Sequence, residues 1–141
     1  MQEIRQGKRG IMRRANKYNA KKIQTADGEI HDSQKEARRW CDLLLLQKAG
    51  EISNLRRQVK YQLIAPQYEE VKRFGKKGQP LKPSRRLVER GVDYIADFVY
   101  KKGEEVVVED VKGYKKGAAY AVFAIKRKLM LMIHGIKVKE V

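Results

Sequence analysis

The sequence predicts an α/β domain, a mixed sheet covered by helices and preceded by a basic N-terminal arm. Three observations carry this. Two segments, from Ser33 to Ala49 and from Ala118 to His134, repeat apolar residues at helical spacing. Between them lie three runs of strand character, Gln58–Ala65, Val92–Tyr100 and Glu105–Lys112. The second helix also separates the third run from a last short strand, Ile136–Val141, by enough chain for a right-handed parallel crossover. The expected order is helix, strand, strand, strand, helix, strand.

A chain of 141 residues fits one domain with a modest core. The net charge of +16 would repel itself unless a polyanion is met, so nucleic acid is the first partner to consider and an anionic membrane the second. The longest apolar run, Leu43–Leu46, is far too short to span a bilayer, and the basic, polar start has no secretory signal pattern. One cysteine, Cys41, allows no internal disulfide, which fits a reducing cytoplasm. With only two histidines beside it, a structural zinc site is excluded.

Residues 1–22 hold Arg5, Lys8, Arg9, Arg13, Arg14, Lys17, Lys21 and Lys22 against one acid, Glu3. Without apolar periodicity they read as a flexible basic arm, and 23–141 as the folded domain. Asp27-Gly28 marks a turn between two short extended pieces. Ser33-x-x-Glu36 has the form of a capping box opening the first helix, and Gly50 closes it. Ala37, Trp40, Cys41, Leu44, Leu45 and Lys48 fall at helical spacing, and Leu43 and Leu46 widen the apolar side, so this helix is expected to be well buried. In the first strand Val59, Tyr61 and Leu63 share one face, and Pro66 ends it. Residues 66–91, rich in Gly, Pro, Lys and Arg, read as a long basic connection. Lys101-Lys102-Gly103 is the hairpin turn between the next two strands, and the valine run of the third suggests a central position buried on both faces. Val122, Ile125, Leu129, Met132 and Ile133 form the expected packing stripe of the second helix, which Gly135 stops.

Asp97, Asp110 and Lys112 are the chemically telling residues. Asp110 and Lys112 are two apart on one strand, so they share a face about 7 Å apart at the backbone. If the hairpin is in register, Asp97 is their lateral neighbour. Two carboxylates with a backbone carbonyl, Val111 being the candidate, make a hard oxygen site suited to magnesium or manganese. A cation there can activate water against a phosphodiester, with Lys112 orienting the water or stabilising the transition state. The chain's acids Asp93, Asp97, Glu104, Glu105, Glu109 and Asp110 fall close together, and none follows from Val111 to Lys139. Glu36, at the start of the first helix, is either a reaching acid or simply a cap. Lys115, Lys116, Lys126 and Arg127 border the site as phosphate contacts, and Arg13, Arg14, Lys21 and Lys22 extend the basic surface. A D-x-K tripeptide is common in so lysine-rich a chain; its strand context and the acid in the preceding hairpin arm single this one out. Cys41, His31 and His134 are assigned to packing or surface, and Tyr94, Phe98 and Tyr100 to the core.

The helix with Glu36, then Asp97, then Asp110-x-Lys112, then a basic helix, resembles the PD-(D/E)xK nuclease superfamily, the restriction-endonuclease-like fold. The segments Lys17–Lys22, Ser33-x-x-Glu36-Ala37, Gly50–Leu55, Tyr94–Phe98 and Val108–Gly113 look like a small phage-encoded family placed in that superfamily. The resemblance implies metal ligation by Asp97 and Asp110, catalysis by Lys112 and a supporting Glu36. It also implies kinship with Holliday-junction resolvases, which are dimers that cut branched DNA. Asp110 stands where glutamate is commoner, a shorter reach to the metal. The expectation is a magnesium-dependent DNA endonuclease, or a non-catalytic nucleic-acid-binding module on the same scaffold.

Overall fold

The structure, a computed structural model, describes residues 21–141. Arg13, Arg14 and most of the expected arm lie outside the described residues; Lys21 and Lys22 are exposed. The order is β1 (Ile23–Gln24), β2 (Ile30–His31), α1 (Gln34–Lys48), β3 (Ser53–Ile64), β4 (Gln67–Phe74), β5 (Pro80–Glu89), β6 (Val92–Lys102), β7 (Glu105–Asp110), α2 (Ala118–His134) and β8 (Lys139–Glu140). The mixed sheet has the order β3-β6-β7-β8, with β8 parallel to β7 and the other pairs antiparallel. The chain is therefore α/β, with α2 as the connection between parallel neighbours.

Two apolar clusters tie the helices to the sheet. Trp40 and Leu43 of α1 pack with Ile52, Phe98 and Tyr100. Phe123 and Met130 of α2 pack with Leu63, Tyr94, Ala96, Val99, Val108 and Val138. Fully burying side chains of this size contributes about 1.5–3 kcal/mol each.

Helix α1 starts where Ser33 accepts a hydrogen bond from the Glu36 amide at 3.1 Å. Its buried side is Glu36, Ala37, Trp40 and Leu43, so the helix buries one face only. Cys41, Leu45 and Lys48, expected on that side, are exposed. Helix α2 ends, as expected, at Gly135 in the left-handed conformation with φ of 67°. Its packing face differs from the expected stripe. Phe123 and Met130 point inward, while Val122, Ile125, Met132 and Ile133 are exposed and Leu129 is only half-buried. The reason is composition: α2 carries apolar residues on more than one side, so periodicity does not choose a face, and the large Phe123 fits against Tyr94 and Tyr120.

The expected loop over 66–91 is instead a β-ribbon. Strands β4 and β5 pair with each other in a separate two-stranded sheet and turn at Gly75–Gln79. Strand β3 also starts five residues earlier than the periodicity suggested, because Leu55 and Arg57 already face the core side. Strand β7 is buried only over its last three residues, and β8 is shorter than the expected strand.

Candidate metal and phosphate site

Register brings the two aspartates together. Phe98 pairs with Glu109 across β6 and β7, so one further step places Asp97 opposite Asp110. The pair sits at the end of β6–β7 remote from the hairpin turn, where β7 gives way to the loop before α2. Asp97 Oδ2 accepts a 2.8 Å hydrogen bond from the Val111 amide, which fixes its carboxylate against the neighbouring strand. Val111 thus touches Asp97 through its N–H.

The regular alternation of side chains switches at this point. Phe98 and Leu55 belong to the α1 side, whereas Ala96 and Val59 belong to the α2 side. Gln58, across from Asp97 in the β3–β6 register, absorbs the switch with a positive φ of 53°. A left-handed conformation in a residue with a side chain costs about 1 kcal/mol or more, and the rest of the sheet holds it in place.

Asp110 is 4% exposed. Its Oδ2 accepts a 2.7 Å hydrogen bond from the Tyr94 hydroxyl, and Lys112 Nζ lies 2.6 Å from its Oδ1. That buried Oδ1 has an ion-pair partner but no hydrogen bond among the described residues. The Lys112 ammonium also stands 3.8 Å from the centre of the Phe123 ring, a cation–π contact that fixes its position. The backbone around the pair is pinned: Val141 N–H donates to Asp110 O at 2.9 Å, Lys112 N–H donates to Val141 O at 3.0 Å, and Lys35 Nζ donates to Lys112 O at 2.7 Å.

Glu36 is 6% exposed. Capping is done by its amide and the Ser33 hydroxyl, while its carboxylate points inward. Glu36 Oε1 lies 3.5 Å from His31 Nδ1 and 3.6 Å from Arg57 Nη2, yet makes no hydrogen bond among the described residues. The carboxylate is therefore free of the cap and close enough to Asp97 to repel it. Burial raises the Asp97 pKa to about 6, the charges of Asp110 and Glu36 add to the rise, and the Val111 amide and Lys112 oppose it. Tyr94 is pushed well above the ordinary phenol range by burial and by Asp110, so its hydroxyl stays a donor.

The other clustered acids do not join the site. Glu104 and Glu105 lie at the hairpin turn, and Asp93 pairs with Lys60 at 3.1 Å. Glu109 faces the α1 side, fully buried, and receives two bonds from Arg39 at 2.8 and 2.7 Å and one from the Tyr100 hydroxyl at 2.6 Å. Strand alternation thus separates Glu109, a structural anion, from Asp110. Among the basic residues, Lys126 lines a cavity with Asp93, Asp110, Lys112, Val122 and Phe123. Lys115 and Lys116 are exposed on the loop before α2. Arg127 turns to Glu140 at 3.3 Å and to the Tyr120 hydroxyl at 3.5 Å, so its charge is already shared. Sequence reasoning placed Tyr94 in the core but missed its hydroxyl as the clamp on Asp110; its position sixteen residues before that acid gives no local signal.

The donor set suits a hard divalent cation. Buried Glu36 Oε1 lacks a hydrogen bond, Asp110 Oδ1 is met only by the Lys112 ammonium, and Asp97 carries a proton affinity that a nearby cation would lower. No group of three or more Asp, Glu, His or Cys side chains among the described residues is placed to hold a metal ion, so a cation here would rest on two carboxylates. Two carboxylates with the remaining positions left to water or phosphate is the manner in which magnesium is usually held.

A measurable consequence concerns pH without metal. Because the folded-state pKa of Asp97 lies above its unfolded value of 3.8, the folded chain holds this proton longer. Its stabilising effect is full below the unfolded value, is lost as pH rises to about 6, and stays lost above, at a cost on the order of 2–3 kcal/mol. Asp97→Asn keeps an acceptor for the Val111 amide and removes the titration. In chelator at pH 8 the variant should melt at a higher temperature than the parent, with the gap closing toward pH 4; a variant less stable at pH 8 would contradict this account.

An α/β scaffold with acids and a lysine converging at one end of its sheet defines the class of this chain. Residues 15–139 match the model of a family described as "Protein of unknown function (DUF1064)", and the chain belongs to that family. No curated protein and no solved structure matches it. None of the described helices is long and apolar enough to cross a membrane.

Proposed function

We propose that this protein is a magnesium- or manganese-dependent DNA endonuclease of restriction-endonuclease-like fold, acting on branched DNA as junction resolvases do. The observation that supports this most is the convergence of Asp97, Asp110 and Lys112 at one sheet end, with Tyr94 and the Val111 amide holding the acids. Asp97 and Asp110 would hold the cation, with Glu36 behind them. When bound, the cation supplies charge against the phosphate and lowers the pKa of water. Lys112 fits the role of stabilising negative charge on the phosphate, since its ammonium is fixed by Phe123 and Asp110. Lys115, Lys116, Lys126, Lys21 and Lys22 supply a cationic border for the DNA backbone. A homodimer belongs to this proposal, because cutting both sides of a branch takes two sites.

One observation favours a second reading, a non-catalytic nucleic-acid-binding module. Lys112 already neutralises Asp110 at 2.6 Å, so the pair is satisfied without a cation. Incubation of the full chain with branched, duplex and single-stranded DNA, in magnesium or manganese and in chelator, separates the two. Metal-dependent cleavage strongest on branched DNA is the expected result. Salt-sensitive binding without cleavage in any metal would leave only the second reading.

A further inference from the structure

The β4–β5 ribbon is the largest feature that the site leaves unexplained. None of the residues of β5 is buried, and in β4 only Val71 is partly covered. A two-stranded ribbon alone is at best marginally stable in water. This one exposes Tyr68, Phe74, Leu81, Leu87 and Val88. Its charges are sorted along its length. Near the root Glu69 pairs with Arg86, and Glu70 faces Arg85, whose guanidinium stacks 4.2 Å over Tyr68. From Val71 to Val88 there is no acid, and the far half carries Lys72, Arg73, Lys76, Lys77 and Lys82.

The ribbon is rooted in the sheet that bears the site. Strand β3 runs into β4 through Ala65-Pro66, and β5 runs into β6 through Arg90-Gly91. Gly91 makes the tight root: a Cβ there would stand 2.8 Å from Ile64 O and 3.0 Å from Pro66. Asp93 lines both the cavity at this root and the one containing Asp110 and Lys112. From Asp93 to Asp97 is about 13 Å along β6. The ribbon root and the site thus lie along one strand, a spacing that a long polyanion can bridge.

We propose that the β4–β5 ribbon enters the major groove of duplex DNA flanking the site, as a double-strand-selective arm. This rests on the nucleic-acid reading above. The eight residues of β4 span about 26 Å, and a two-stranded ribbon fits a groove about 12 Å wide. The tip cations meet phosphates on both groove walls, and Phe74 and Leu81 are placed to contact thymine methyl groups.

The test compares the full parent chain with Lys72→Ala/Lys76→Ala/Lys77→Ala, and with Lys48→Ala on α1 as a charge control. Binding to duplex and single-stranded 30-mers is measured in chelator across a salt series. The triple variant should bind duplex about 30-fold more weakly near 0.1 M salt, with a log–log salt slope smaller by about 2–3, while single-strand binding changes less than about threefold. It should also lose protection of guanine N7 from methylation. Equal weakening on both substrates, an unchanged slope, or tighter capture of phosphatidylserine vesicles than of duplex would overturn the proposal. Because binding is read without metal, a parent that never cleaves leaves this result standing. A parent that cleaves, beside a variant with undiminished duplex binding, sinks the ribbon alone.

Discussion

If the proposed chemistry holds, Asp110→Asn and Lys112→Met should each lower metal-dependent cleavage by about 10²–10³-fold while leaving DNA binding in chelator within a few-fold of the parent. The size follows from charge. Asp110→Asn takes one anion from a two-carboxylate site, and a neutral amide is a poor ligand for a hard cation. Lys112→Met keeps the length of the side chain but removes the ammonium, held over Phe123, that the proposal assigns to the phosphate, and loss of one group stabilising a transition state costs about 10²–10³. The two should not add when combined, because the side chains act on the same centre. Tyr94→Phe separates support from chemistry: Asp110 loses its 2.7 Å donor but keeps its charge. That variant should retain measurable cleavage, with a weaker apparent affinity for magnesium. If Asp110→Asn and Lys112→Met still cut at the parental rate, the chemistry lies elsewhere.

Arg39→Ala should destabilise the fold by about 3 kcal/mol at neutral pH, the lower end of the cost of breaking a buried pair, because the Tyr100 hydroxyl and the Lys139 ammonium at 3.8 Å remain beside Glu109. Glu109 is wholly buried, and burial alone would raise its pKa. The two Arg39 bonds and the Tyr100 hydroxyl outweigh burial and hold it below the ordinary carboxylate range. In the parent this pair therefore stabilises above the unfolded pKa and weakens as pH falls through the folded one. Without Arg39 the carboxylate takes up a proton more readily, so the gap between parent and variant should narrow on acidification. Arg39→Met combined with Glu109→Leu should recover at least half of the loss, since matched apolar replacements of buried ion pairs are often tolerated. Denaturant unfolding at pH 7.5 and pH 5 reads the parent and both variants. An Arg39→Ala loss under about 1 kcal/mol would mean that solvent already shields this pair.

What the sequence made legible was local or paired by a short turn. The hairpin of β6 and β7 put Asp97 beside Asp110 because antiparallel neighbours need only their register counted. The bounds of α2 were legible because Gly135 takes the left-handed conformation that ends a helix. Its packing face was not, because apolar residues on more than one side of the helix leave the choice to the fit of Phe123 and Met130. The ribbon was hidden for the opposite reason. Both of its faces meet solvent, so it lacks the alternation that betrays a half-buried strand, and Pro80 and Pro83 read as loop residues although Pro80 opens β5 opposite Phe74 and Pro83 falls at the register shift between Leu81 and Ser84. Arg39 and Glu109 are seventy residues apart, and nothing short of the fold announces that they meet. The switch at Gln58 was equally silent, since strict alternation was the natural assumption for β3.

The bonds between Val141 and both Asp110 and Lys112 tie the site to the chain that follows β8. Those two residues are locked in place only after α2 has crossed the sheet and β8 has docked. Undocking β8 would free the backbone at both residues, so a strand remote in the sequence governs how firmly this corner is held.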